Sequence, residues 1–373
     1  MREFINGAEA IARGALRAGC NFFAGYPITP ATPILLHMTR ELPKLGGTAI
    51  QAEDEIAAMG LCIGAALAGR RAMTATSGPG ISLYSESIGA AIMLETPLVI
   101  VDVQRMGPAT GGATTGAQGD VQFLRWGTSG GYPVIVLAPT CAAECYTLTQ
   151  RAFDLAERFR CPVFIATDKE TALDNVAVDV SDLNDVTVRQ RQVAPADEEY
   201  TSFGFECPEQ IPPYSPLGGP HLVRLTTSAH DAQGYLTKNP TDIRRINEHL
   251  AAKIESAIDE IALVKAELQP GAETLLLSYG ITTRSMEDAA LIARQAGAKV
   301  STLTVYSLWP VPERAIRDAL AGVKRVVVAE LNLGQYRREI ERLAKDSQQV
   351  IGVHRLDGDL ISPDEILESG GLR

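Results

Sequence analysis

Apolar positions along this chain change their period repeatedly, from the three-and-four spacing of amphipathic helices to short β-branched runs and back. Between residues 7 and about 168 the pattern predicts helices over 8–18, 31–41, 53–68, 81–94 and 141–158. Between and after them it predicts strands over 21–25, 47–50, 71–76, 97–103, 133–137 and 162–166. Runs such as Leu98-Val-Ile-Val-Asp-Val103 read as strands covered on both faces. The alternation therefore predicts an α/β fold, a doubly wound and largely parallel sheet with helices on both sides.

The rhythm breaks at about residue 178. The stretch to 270 is rich in Pro, Asp and Ser, holds Pro212-Pro-Tyr-Ser-Pro216 and Gly218-Gly-Pro220, and closes on a helical pattern over 242–268. A segment this long without alternation reads as a crossing linker with an interfacial loop and helix. Alternation resumes at 273, with strands expected over 274–279, 299–305, 325–330 and 350–353, and helices over 285–296, 313–320 and 335–345. The expected organisation is a first α/β domain over 1–178, the linker over 179–270 and a smaller α/β domain over 271–373.

Composition narrows the classes. With 373 residues, of which 46% are hydrophobic, the chain can bury a sizeable core. The formal charge of −11, from 34 basic and 45 acidic residues, comes with no long basic run, so nucleic acid is not the expected partner. No apolar run reaches the roughly 18 to 20 residues that span a bilayer, and Met1-Arg-Glu-Phe4 lacks the apolar core of a secretion signal. No membrane partner and a cytoplasmic location are expected. The six cysteines, at 20, 62, 141, 145, 161 and 207, include no Cys-x-x-Cys, and they read as buried structural thiols. An iron–sulfur cluster held by this chain is not expected, nor any other metal.

Candidate chemistry sits where predicted strands end. The strand Phe22-Phe-Ala-Gly25 runs into Tyr26-Pro27-Ile28-Thr29-Pro30, a turn fixed by two prolines that presents a hydroxyl. The next strand runs into Gln51-Ala-Glu-Asp-Glu55 at the mouth of an Ala/Gly-rich helix. Open parallel sheets bind ligands beyond these carboxyl ends. Ser77-Gly78-Pro79-Gly80 opens another helix as a glycine turn, without the Lys-Ser/Thr of a P-loop or the Gly-x-Gly-x-x-Gly of a dinucleotide site. Arg105 ends a strand and precedes a Gly/Thr-rich loop too long for mere connection. Each has a plainer reading: a turn threonine, acids complementing a helix N-terminus, a tight turn, a surface arginine. Among the three acids, Glu55 shares an apolar stripe with Met59 and Cys62 and would be drawn inward.

Taken in order, Tyr26-Pro-Ile-Thr-Pro30, Glu53-Asp-Glu55, Thr74-Ala-Thr-Ser-Gly-Pro-Gly80, Val103-Gln-Arg105, Gln118-Gly-Asp120 and Glu330-Leu-Asn-Leu-Gly-Gln335 resemble the alpha subunits of 2-oxoacid:ferredoxin oxidoreductases over nearly the whole chain. The resemblance implies a pyrimidine-type thiamine diphosphate domain followed by a transketolase-C-terminal-like domain. It also implies CoA-dependent oxidative decarboxylation of a 2-oxoacid with electrons passed to ferredoxin, a conversion expected to be reversible. The family's glutamate precedes glycines five and nine residues later, and Gly60 and Gly64 meet that spacing only from Glu55. By the same resemblance Thr29 and Arg105 would contact the substrate's reacting end, while Tyr26, Pro27, Ile28, Ser77 and Gly78 would line the cofactor with Glu55.

The family's diphosphate-and-magnesium motif begins Gly-Asp-Gly, and Gly119-Asp120 and Gly358-Asp359 are both followed by aliphatic residues. The resemblance thus implies a beta subunit that supplies Mg2+, the diphosphate contacts and a [4Fe-4S] cluster, hands electrons to ferredoxin, and assembles as a dimer of alpha–beta heterodimers. CoA is the expected co-substrate. The sequence resembles the 2-oxoglutarate group most, with branched-chain 2-oxoacid and pyruvate enzymes, or a non-catalytic scaffold, as alternatives. Arg125, Arg224 and Lys238 are candidates for a second substrate carboxylate.

Overall fold

Short strands paired in parallel make up most of the scaffold. The computed structural model describes residues 2–179, 181 and 183–372. In chain order its strands are β1 Arg2–Ile5, β2 Phe22–Gly25, β3 Thr48–Gln51, β4 Ala72–Thr76, β5 Leu98–Gln104, β6 Ile135–Leu137, β7 Pro162–Asp168, β8 Val176–Asp179, β9 Val264–Glu267, β10 Thr274–Ser278, β11 Val300–Val305, β12 Ser307–Trp309, β13 Arg325–Glu330 and β14 Gln349–His354. A seven-stranded sheet has the order β12-β6-β7-β5-β4-β2-β3, and a five-stranded sheet the order β14-β13-β10-β11-β9. All pairs within them are parallel except β12 on β6 and β9 on β11.

The first sheet is covered by α1 Gly7–Arg17, α2 Thr32–Glu41, α3 Glu55–Leu67, α4 Gly78–Leu83, α5 Ser85–Met93, α6 Val121–Trp126 and α7 Ala142–Phe159. Central strands β4, β5 and β7 are buried along their whole length, as β-branched runs between two helical layers require. Helices α1 and α7 lie close because Gly14 carries no side chain: a Cβ there would stand 2.5 Å from the Tyr146 carbonyl oxygen. From β2 the chain steps outward to β3, then returns across β2 to β4. The strand order therefore reverses between β2 and β4, and that is where a ligand crevice opens in such sheets.

Gln118 locks the two sheets together. Its Nε2 donates to Asp168 and to the Tyr279 carbonyl, its Oε1 accepts from Thr282 and from the Leu331 amide, and Asn332 donates to its backbone carbonyl at 2.7 Å. Gln335 Nε2 reaches the Gly119 carbonyl at 2.6 Å. The Gln118-Gly-Asp120 and Glu330 to Gln335 segments, more than 200 residues apart, are thus one buried polar seam.

Several expectations need correcting. The stretch over 242–268 is helical only across Pro240–Glu255 and Ile258–Ile261; beyond them Val264–Glu267 forms β9, where Val264 and Ala266 alternate with Lys265 and Glu267 at the period of a strand. The second sheet therefore starts inside the segment read as linker. The helix expected over 81–94 is two helices, α4 and α5, meeting at Tyr84, whose hydroxyl is tied to Thr74 at 2.9 Å. The loop after Arg105 contains α6. Strand β12 leaves the C-terminal half to join the first sheet, and β1 pairs with β8. Of the cysteines, Cys207 is exposed and Cys141 only partly buried. Among the described residues no helix is long and apolar enough to cross a membrane.

Candidate active site

The crevice at the strand-order reversal gathers the carboxyl ends of β2, β3, β4 and β5. From β2 comes the Tyr26 to Pro30 turn: Tyr26 and Thr29 are exposed, Pro27 and Ile28 half-buried, and Pro30 is buried behind a cis peptide bond. From β5 comes Arg105, buried under the turn, with its Nη1 donating to the Thr29 carbonyl and its Nη2 to the Thr110 carbonyl at 3.1 Å. Those bonds use two of five guanidinium donors. Its Nε is buried with no partner among the described residues.

The three acids after β3 have three different surroundings. Glu53 is exposed. Asp54 caps α3, its Oδ1 accepting from the Ala57 amide at 2.7 Å. Glu55 alone is buried, on the same helix face as Ala58, Met59, Cys62 and Ala66. It faces the turn after β4: a Cβ on Gly80 would meet Thr76 Oγ1 at 2.0 Å and Glu55 Oε1 at 3.0 Å. Gly80 is thus the residue that leaves room beside the Glu55 carboxylate.

Thr76 Oγ1 and Ser77 Oγ are buried and have no hydrogen-bond partner among the described residues. Buried hydroxyls are rarely left unpaired, so a cluster of them beside a carboxylate marks a place built for another polar group. Gly78, at φ +20°, lets the turn pass close to Arg105 Cγ, 3.8 Å from where its Cβ would be. The structure thus brings Thr29, Glu55, Ser77, Gly78 and Arg105 to one crevice. Arg125, Arg224 and Lys238 form no hydrogen bond or ion pair with Thr29, Glu55 or Arg105 among the described residues. Arg125 lies 3.9 Å from the Trp126 ring centre and donates to the Gly131 and Tyr132 carbonyls, and Arg224 lies 3.6 Å from the Tyr235 ring centre.

Sequence reading missed Asp102 and Asp120, whose carboxyl groups meet beside Arg105. Burial, then Asp120, pushes Asp102 well above the usual carboxyl range; burial pushes Asp120 up to about 6 against the pull of Asp102 and Arg105. A signal was present: Asp102 is the one charge in a fully buried apolar strand.

The family model described as pyruvate flavodoxin/ferredoxin oxidoreductase, thiamine diphosphate-binding, matches residues 13–246, and that of pyruvate:ferredoxin oxidoreductase core domain II matches residues 272–366. Over 366 residues the chain is 40% identical to 2-oxoglutarate synthase subunit KorA of Methanothermobacter thermautotrophicus, spanning 98% of this chain and 96% of that one. The chain belongs to the 2-oxoacid:ferredoxin oxidoreductase family. Within that family it is also 34% identical to ketoisovalerate oxidoreductase subunit VorB of the same organism, over 98% of this chain and 96% of the relative.

Among solved structures the chain is similar to 2-oxoglutarate:ferredoxin oxidoreductase from Magnetococcus marinus with 2-oxoglutarate, coenzyme A and succinyl-CoA bound. The TM-score is 0.92 at 30% identity, and the match covers 98% of this chain and 64% of that one. A split-gene transketolase, at 13% identity and TM-score 0.56, shares the fold. The fold expected of a family member, a thiamine diphosphate-binding α/β domain with an attached α/β domain, is therefore present. Residues of this chain also fit the pyrimidine half of such a cofactor: a buried carboxylate, two unpaired buried hydroxyls and a glycine that keeps the space beside them open.

Proposed function

We propose that this chain is the alpha subunit of an enzyme that converts 2-oxoglutarate and CoA to succinyl-CoA, with ferredoxin as electron acceptor, and that it works only with a beta subunit. The observation that carries the reading is the placing of Glu55: the one buried acid of its trio, beside Gly80 and unpaired hydroxyls at the strand-order reversal that also holds Arg105 and Thr29. The choice of 2-oxoglutarate is supported by the relatives' names and by the ligands named for the Magnetococcus enzyme.

Thiamine diphosphate, when bound, supplies the carbanion chemistry at a 2-oxo carbon. Glu55 would hold the aminopyrimidine ring through its carboxylate, with Ser77 and Gly78 lining the same side and Tyr26, Pro27 and Ile28 forming the wall from β2. The remaining donors of Arg105 would hold the 2-oxoacid carboxylate, and the Thr29 hydroxyl can donate to charge developing on the neighbouring oxygen. Neither Gly119-Asp120-Val121 nor Gly358-Asp359-Leu360 completes the family's Gly-Asp-Gly motif, and the cysteines lack cluster spacing, so Mg2+ and the diphosphate contacts are assigned to the beta subunit, with the [4Fe-4S] cluster and the ferredoxin contact.

An uncovered face supports the partner. Ile56, Gly60, Leu61 and Gly64 leave α3 exposed and apolar directly behind Glu55, and Leu83 is exposed on α4. A helix apolar on every side is covered in its working assembly. The deciding experiment is acceptor reduction by the co-expressed alpha and beta chains across 2-oxoglutarate, pyruvate, 2-oxoisovalerate and phenylglyoxylate. CoA-dependent turnover greatest with 2-oxoglutarate supports the reading; a 2-oxoisovalerate preference selects the branched-chain alternative, and no turnover with any acid selects the scaffold.

A further inference from the structure

Two carboxyl groups beside Arg105 play no part in that chemistry. Asp102 lies on β5, in register with Thr76 of β4 and Ala166 of β7. Its side chain is wholly buried, neither carboxyl oxygen completes a hydrogen bond among the described residues, and the Gly78 amide is the N–H that favours its charged form. Asp120 stands at the start of α6, fixed by its amide, which donates to Gln104 Oε1 at 3.1 Å; its Oδ2 is buried and also lacks a donor. Asp102 and Gln104 lie two residues apart on β5 and point to the same face, so the Gln104–Asp120 bond brings the two carboxyl groups together, and each feels the other. Gly78 lies over them, its Cβ position 4.0 Å from Asp120 Oδ2 and 3.8 Å from Arg105 Cγ.

Two buried carboxylates in contact repel, and the Gly78 amide and the Arg105 cation offset only part of the repulsion and of the cost of burial. One proton between them converts the contact into a charge-assisted O–H···O bond. We propose that Asp102 and Asp120 share one proton, and that the bond so formed is the positioning element that fixes the Ser77–Gly78 turn and Arg105 for 2-oxoacid binding. The second half of this rests on the reading of Arg105 given above. The residues act through Arg105 and touch no substrate.

The surroundings favour the protonated pair. Burial first, and then the neighbouring carboxyl, raises Asp102; burial raises Asp120 to about 6, and the two titrate as one unit. Arg105 is the charged group facing them from the loop after β5. The end of β4 offers only the hydroxyls of Thr76 and Ser77 and the Gly78 amide, with Glu55 beyond at Gly80, and β7 offers Ala166. With one proton the pair carries a single negative charge beside Arg105. Without it the two charges push the end of β5 and the start of α6 apart and draw the guanidinium towards themselves.

The test uses the purified alpha–beta complex. Its infrared spectrum at neutral pH should contain the carbonyl stretch of a protonated carboxylic acid that disappears in Asp102→Asn and in Asp120→Asn, where an amide donates permanently to the remaining carboxylate. In the wild type the KM for 2-oxoacid should climb by about tenfold per pH unit above the pair's upper step, the slope of a single proton. Asp120→Asn should abolish that climb. A wild-type spectrum without the protonated-acid band overturns the shared proton, and this readout needs no active enzyme and no variant. A band with an unchanged KM profile in Asp120→Asn overturns the positioning role. A complex that shows the band but turns over no 2-oxoacid retains the shared proton and overturns the functional reading instead.

Discussion

Arg105, at the end of β5, holds the backbone carbonyl of Thr29, at the end of β2, through its Nη1–H. Because β4 lies between those strands, the guanidinium bridges the crevice from beneath rather than standing free at its rim. Its second arm, to Thr110, ties down the loop that follows. Lysine offers one compact ammonium and cannot span both carbonyls while facing a substrate. A hydrogen bond to a charged group contributes about 1.5–3 kcal/mol. Arg105→Lys should therefore lower kcat/KM by about 10- to 100-fold on every accepted 2-oxoacid. Kinetics on 2-oxoglutarate and 2-oxoisovalerate check this; a shift in preference without loss on the second acid would make Arg105 a specificity residue.

Glu55→Gln should lower turnover by about 10²- to 10⁴-fold, the usual range for a positioned proton-transfer group, while assembly persists. The amide keeps the shape beside Gly80 and removes the charge. Glu53→Gln should change little, since Glu53 is exposed, and Asp54→Ala should cost about 1 kcal/mol of stability, as the loss of an N-cap does. Turnover and thermal melting of the three variants separate the roles. Equal losses of activity in Glu53→Gln and Glu55→Gln would overturn the assignment.

Much of this was legible locally and the rest was not, for a physical reason. Alternation placed the strands of the first sheet up to β7 and most helices, and helical spacing separated Glu55 from Glu53 and Asp54, because these depend on near neighbours. The β1–β8 pair joins segments some 170 residues apart, and β12 crosses to another sheet. Asp102 could have been found as the one charge within an apolar strand, yet nothing local names Asp120 as its partner. Gln118 and Asn332 were each visible within family-like segments, but their contact exists only once both sheets have formed.

Glu95 should make the fold acid-sensitive. It is buried at the end of α5, where His249 and Lys253 of the helix Pro240–Glu255 each reach its Oε2 at 2.9 Å. Burial alone would raise its carboxyl, but Lys253, Arg160 and His249 outweigh that and hold it well below the usual range. A carboxyl depressed in the folded state contributes stability that is complete above its unfolded value, near 4.3, and is lost as pH falls towards the folded one. Glu95→Gln should remove about 3–5 kcal/mol at neutral pH, by leaving buried cations unpaired. It should also flatten the acid limb of the melting profile. Denaturant unfolding at neutral and acid pH checks both, and an unchanged acid limb would assign that limb to other carboxylates.

The uncovered face of α3 separates stability from assembly. Gly60 and Gly64 are exposed, and a Cβ on either would have no neighbour within 4 Å in this chain. Leucine is a better helix former than glycine by up to about 1 kcal/mol. The isolated Gly60→Leu chain should therefore melt no lower than the wild type, and slightly higher if anything. In the complex the same side chain stands on the surface assigned to the beta subunit, beside Ile56 and Leu61, which are 54% and 40% exposed. A leucine inserted into a packed interface typically costs about 1–3 kcal/mol. Co-purification of the beta chain should fall, and acceptor reduction should fall with it. Melting of the isolated chain and gel filtration of the co-expressed pair decide the matter together. If Gly60→Leu and Gly64→Leu both assemble and turn over like the wild type, the beta subunit docks elsewhere, and the site built around Glu55 is not completed across this face.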